Sequence, residues 1–200
     1  MSRVLGALLL ALGLTAALAG SAAGFEAGQV FRKGTLVVSG EGGGGSQSNL
    51  SGGTQTGLSL WYASARLGLL PFGTAGPGPF RGAFEVGIGP VFQRYTEPVN
   101  AYYAGLAAVL RYHFVSLGRL VPYVEAAGAF GGTDLRVREI DSDVAFWLAA
   151  GAGASVFVTD RAAIYAGYRL VHVSNGNIDT PNKGFEAHTG MAGVAFYFDR

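Results

Sequence analysis

The stretch Ala101-Tyr102-Tyr103-Ala104-Gly105-Leu106-Ala107-Ala108-Val109-Leu110-Arg111-Tyr112-His113-Phe114 carries two different faces. Taking every second residue from Tyr102 gives Tyr, Ala, Leu, Ala, Leu, Tyr and Phe, an apolar band with aromatic ends. The alternate residues include Tyr103, Gly105, Ala107, Arg111 and His113, which are small or polar. Successive side chains of a strand point to opposite sides, so period two over this length defines a strand with one apolar wall. An apolar wall flanked by aromatic girdles faces lipid, and small inner residues suit the narrow interior of a small barrel.

The neighbouring segments repeat the pattern. Phe84, Val86, Ile88 and Phe92 share one face of the preceding segment, and Glu85, Gly87, Gly89 and Gln93 the other. Eight strands are expected, near residues 33–40, 57–70, 80–95, 101–115, 119–131, 144–158, 161–174 and 185–198. Around Trp61 and Tyr62 neither face is cleanly apolar, so the second strand has no assigned orientation. Ser116-Leu117-Gly118 and Thr159-Asp160 are tight turns, whereas 41–56, 131–143 and 175–184 are long and polar. Short turns at one end and long loops at the other, with an even strand number, predict an all-β fold: an eight-stranded antiparallel transmembrane β-barrel of the outer-membrane type. The glycine-rich stretch 42–53 is expected to be a flexible loop shaping access to the molecule.

Composition agrees. Only 14% of the 200 residues are charged, against roughly 25% in soluble domains, while half are hydrophobic and 33 are glycine. A net charge of +1 without a basic block gives no nucleic-acid footprint, and the absence of cysteine removes disulfides, thiolate metal sites and a cysteine nucleophile. Val4 to Phe25 is free of charge and follows Arg3; it contains Ala17-Leu18-Ala19 and Ser21-Ala22-Ala23, both suited to cleavage. Residues 1–23 are therefore expected to be a secretory signal, the competing reading being a retained anchor, and residues 24–200 the barrel.

Symmetric hairpins place charges inside. Pairing about residue 98 sets Glu85 opposite Arg111, and pairing about 118 sets Glu125 opposite the same Arg111; Arg169 joins this face. Buried charges need partners, so an interior ion network is expected, the alternative being an ion pore.

Two strands break the apolar wall. Ile164, Ala166, Tyr168 and Leu170 continue into His172 and Ser174, and Val194, Phe196 and Phe198 share parity with Glu186 and His188. Ionisable groups on a lipid-facing wall are costly and point to function. A hairpin centred on Asp179 sets His172 opposite Glu186, and Ser174 lies about 7 Å along the strand from His172. Nucleophile, base and orienting acid then stand in order for ester hydrolysis, with Asn175 or a backbone N–H near Gly176 as oxyanion donor. A polar rim at the membrane interface explains the same residues without chemistry. His188 and Glu186 share a face but lack a third ligand, so no metal and no cofactor is expected.

The stretch His172-Val173-Ser174-Asn175, with Pro181-Asn182 in the following loop and Glu186 fourteen residues after the histidine, resembles the outer-membrane lipid A 3-O-deacylases of the PagL family. The motif block spans about fifteen residues. The resemblance implies an outer-membrane enzyme that hydrolyses the ester-linked 3-hydroxyacyl chain at position 3 of lipid A, with its site facing the outer leaflet. It makes His172 the base, Ser174 the nucleophile, Glu186 the orienting acid and Asn175 an oxyanion contributor, and implies lipopolysaccharide as partner. A homodimer is compatible with it. Barrels of this kind commonly end on an aromatic residue, whereas here Phe198 is followed by Asp199-Arg200. The rival readings are a non-enzymatic structural or adhesive barrel, and an esterase acting on another glycerolipid.

Overall fold

The computed structural model describes residues 25–52 and 54–199; the expected signal and its cleavage site lie outside them. Eight long strands close into an antiparallel barrel: β1 (Leu36–Gln47), β2 (Ser59–Leu69), β3 (Gly82–Glu97), β4 (Ala101–Phe114), β5 (Leu120–Thr133), β8 (Val144–Phe157), β9 (Ala162–Ser174) and β10 (Phe185–Phe198). Each pairs with its chain neighbours, and β1 pairs with β10 to complete the ring. Closure leaves no unpaired edge, the condition for a sheet to cross lipid. No helix among the described residues is long and apolar enough to cross a membrane.

Long loops gather at one end of the barrel. One of them, 134–143, carries a two-stranded hairpin of β6 (Arg136–Val137) and β7 (Ile140–Asp141). The 98–100 connection at that end is short, and the 70–81 connection at the other is long but compacted by a 3-10 turn at Gly78–Phe80.

The first strand departs from expectation. It starts at Leu36 and runs on to Gln47, so Gly42 to Gly45 are strand rather than mobile loop. The reason is close approach: a Cβ at Gly45 would lie 1.9 Å from the His188 carbonyl oxygen. Residues without side chains allow β1 to draw against β10 at the closing seam. Such a run has no alternation to read.

The second strand turns Leu60, Tyr62 and Arg66 inward and Trp61, Leu67 and Leu69 outward. The expected hairpin registers are those observed: Glu85 opposes Arg111, and Arg111 opposes Glu125. Inside, Glu125 joins Arg111 at 2.7 Å and Arg169 at 2.6 Å, and Glu41 joins Arg169 at 2.7 Å. Glu85, although opposite Arg111, pairs with Arg66 at 3.1 Å and His113 at 2.8 Å. The side chains of all these groups are buried, so each carboxylate meets the need of its cations for a partner. The cavity between Glu41, Arg66, Trp147 and Arg169 measures about 20 Å³, little more than one water needs.

The short-turn end is stoppered. A single helical turn, α1 (Ala27–Val30), delivers Phe31 fully buried against His113, Phe157 and Tyr197, with ring centroids 5.0–5.8 Å away. Thr35 Oγ1 donates to the Val30 carbonyl at 3.0 Å and holds the turn in place.

Candidate active site

His172 and Ser174 close the last turn of alternation in β9, and Glu186 opens β10, all at the long-loop end. The outward parity is theirs, and it continues below into exposed Tyr168, Ile164 and Val194. His172 and Glu186 are directly opposed partners. His172 Nδ1 lies 2.9 Å from Glu186 Oε1. A carboxylate accepting from Nδ1–H selects the tautomer whose Nε2 is free to take a proton. The histidine side chain is 38% exposed and the glutamate 21%, so the pair is reachable from outside the barrel. Ser174 is half-buried, two residues on from His172.

On the other flank β8 supplies apolar partners. Phe146 opposes Ser174 and Leu148 opposes His172, and both are exposed on the wall. An apolar strip therefore runs alongside the hydroxyl and imidazole.

The 175–184 connection is a built turn. Asn175 is fully buried. Its Nδ2 donates to the carbonyls of Asp179 and Pro181, and its Oδ1 accepts from Asn177 N–H. Its own backbone N–H donates to Asn182 Oδ1 at 2.9 Å. The Asn175 amide is thus committed to shaping the turn. Gly176 follows with φ 64° against the Phe146 ring.

Three features at this site carry no signal in the sequence. The 48–58 loop reaches over to Glu186: Leu50 N–H donates to Glu186 Oε2 at 3.3 Å, and Asn49 Oδ1 accepts from Glu186 N–H at 3.1 Å. Gly184, with φ 64°, faces the His172 ring, and a Cβ there would lie 2.8 Å from its Cε1. Glu139, in the turn between β6 and β7, is buried and accepts from Gln47 and Thr56. Burial pushes the Glu139 carboxyl up, but the donors from Thr56 and Gln47 outweigh it and hold it below the usual carboxylate range. These contacts join residues far apart in sequence, which no local spacing announces. His188 is exposed and bonds through Nδ1 to the Tyr168 hydroxyl.

The fold defines the class first: a closed eight-stranded barrel of the outer-membrane type, with an ionisable cluster on its outer wall. The model of the lipid A 3-O-deacylase (PagL) family matches residues 41–195, and the chain belongs to that family. Among solved structures, it is similar to the outer membrane enzyme PagL, with 16% identity and a TM-score of 0.56 over 76% of this chain and 97% of that one. It is equally similar to Neisserial surface protein A (NspA), at 17% identity and a TM-score of 0.56 over 83% and all of the two chains. No curated protein sequence matches it.

Proposed function

We propose that the protein is a lipid A 3-O-deacylase that cleaves the ester-linked 3-hydroxyacyl chain of lipid A by a Ser-His-Glu mechanism. The observation that carries this reading is the 2.9 Å contact between His172 and Glu186 on the outer wall, two residues from Ser174, within the matched region. A triad facing lipid lets an acyl ester be reached without leaving the leaflet. The strip of Phe146 and Leu148 offers the chain an apolar surface, and the sugar head stays at loop level.

In this reading His172 Nε2 takes the Ser174 proton as Oγ attacks the ester carbonyl. Glu186 holds the ring and stabilises the imidazolium. The tetrahedral oxyanion is met by the Gly176 N–H, presented by the turn that Asn175 holds, so Asn175 contributes through the backbone it fixes. Collapse breaks the acyl C–O bond, and His172 returns the proton to the departing sugar hydroxyl. Water, deprotonated by the same imidazole, then releases the hydroxy acid and restores Ser174. The barrel is proposed to be residues 24–200, placed in the outer membrane after loss of the 1–23 signal, with the long loops and the triad at the outer leaflet. A homodimer formed through another part of the wall leaves this face clear.

Mass spectrometry of lipid A from cells expressing the wild type or Ser174→Ala tests the reading. Loss of one hydroxyacyl chain with the wild type alone supports it. Unchanged lipid A beside a folded wild-type barrel points to another glycerolipid or to a barrel without enzymatic activity.

A further inference from the structure

The geometry points to Glu139 as a positioning residue that locks the two halves of the triad together across three loops. The inference rests on the proposed triad chemistry and goes beyond it, because Glu139 lies outside the motif and forty-seven positions before Glu186.

Glu139 holds two loops by two different groups. Its carboxylate gathers the 48–58 loop: Oε1 accepts from Gln47 Nε2 at 3.0 Å and Thr56 N–H at 2.8 Å, and Oε2 from Thr56 Oγ1 at 2.5 Å. The same Gln47 amide donates to Asn49 Oδ1 at 3.2 Å, and Asn49 Oδ1 in turn accepts from Glu186 N–H. Gln47 Oε1 meanwhile accepts from Gly57 and Leu58 N–H, so the loop is pinned on both sides. The backbone carbonyl of Glu139 secures the 175–184 loop instead, accepting from Lys183 N–H at 2.8 Å and Gly184 N–H at 3.1 Å. Gly184 adjoins the His172 ring so nearly that a Cβ there would lie 2.8 Å from Cε1.

One buried residue therefore reaches Glu186 by Gln47 and Asn49, and His172 by Gly184. A carboxylate suits the position because it only accepts, and three donors converge on it. Replacing it with alanine leaves Thr56 N–H and the Gln47 amide short of an acceptor and frees the 48–58 loop that carries Leu50 and Asn49. The hydrogen bonds that Lys183 and Gly184 N–H donate to the backbone carbonyl at 139 need no side chain, but their anchor is loosened. Displacements of about 1 Å in a triad cost on the order of a hundredfold in rate.

The test uses the full-length purified barrel with Glu139→Ala and Glu139→Gln, scored per folded molecule by heat-modifiable mobility. Two readouts are taken: kcat and KM on lipid A, and the rate at which a fluorophosphonate probe phosphonylates Ser174 with loss of fluoride. Glutamine keeps an acceptor for Gln47 and Thr56 N–H, so it should restore much of what alanine loses. The expected result is a fall in kcat and labelling of about ten- to a hundredfold for alanine, with KM changed less than about threefold and glutamine intermediate. Alanine labelled as fast as wild type overturns the inference while leaving the triad standing. If alanine fails to fold, glutamine with wild-type labelling overturns it, since Glu139 then serves folding alone; a slower folded glutamine variant supports it. A wild type that the probe does not label at Ser174 removes the triad itself, and the inference with it.

Discussion

Gly184 lies against the imidazole of His172 with no space for a side chain: a Cβ would come to 2.8 Å of Cε1 and 3.2 Å of Nε2. Gly184→Ala should lower deacylation on the order of tenfold or more, since both the backbone at φ 64° and the ring must move. Gly118→Ala is the matched control, with φ 63° and nothing within 4 Å, in the tight turn at the opposite end of the barrel; it carries the same strain, of about 1–2 kcal/mol, away from the site. Equal activity of both variants in a lipid A assay would show that the ring does not depend on Gly184.

Glu186→Ala should cost less than Ser174→Ala. In the proposed mechanism the third member orients and stabilises a charge, whereas the serine forms the bond that defines the reaction. The expected losses are on the order of 10²–10⁴-fold for the glutamate and larger for the serine. Single-turnover release of hydroxy acid separates them, and both barrels should keep heat-modifiable mobility.

Inside the barrel, Glu125 serves two cations. Glu125→Ala leaves Arg111 without its 2.7 Å partner and Arg169 without its 2.6 Å one, and removal of one member of a buried pair costs about 3–5 kcal/mol. The gel-shift melting temperature should fall clearly. Glu125→Gln, which keeps one acceptor oxygen, should fall less. Loss of activity should track loss of fold, because this network lies on the inner face and the triad on the outer.

Phe31→Ala removes the stopper from the short-turn end and should lower the melting temperature by the equivalent of about 3–5 kcal/mol. The wild type should carry no ion current in a planar bilayer, since Phe31 is buried at the short-turn end and the paired charges are buried within. Wild-type conductance comparable to an open pore would contradict the filled interior.

Much of this architecture was legible because hairpins with compact or symmetric connections fix register by arithmetic. Glu85 opposite Arg111, Arg111 opposite Glu125 and His172 opposite Glu186 all followed from locating the centre of a turn. What escaped did so for identifiable reasons. Gly42 to Gly45 hide their strand because the pleat is read from side chains they lack, and with them went Glu41 as a partner of Arg169. Arg66 lies on a strand whose two faces cannot be told apart near Trp61 and Tyr62, which hides its inward position. Glu85 chose Arg66 and His113 over the arginine opposite it, a matter of side-chain reach that register does not decide. Asn175 stood next to the serine and suggested an oxyanion donor, whereas burial turns its amide into the turn. Glu139 is one of four acids beside two arginines in residues 134–143, and nothing local singles it out; its contacts to the 48–58 and 175–184 loops form only once three loops have met.

The outward placement of His172, Ser174 and Glu186 has a consequence for the proposed function. On that reading a lipid ester reaches the wall in the plane of the membrane. The relevant concentration is a surface density, and encounter is governed by lateral diffusion of lipids past one narrow strip of wall between β8 and β10. Membrane fluidity and the fraction of the leaflet made of substrate then tune the rate, while stirring or dilution of the aqueous phase leaves it untouched.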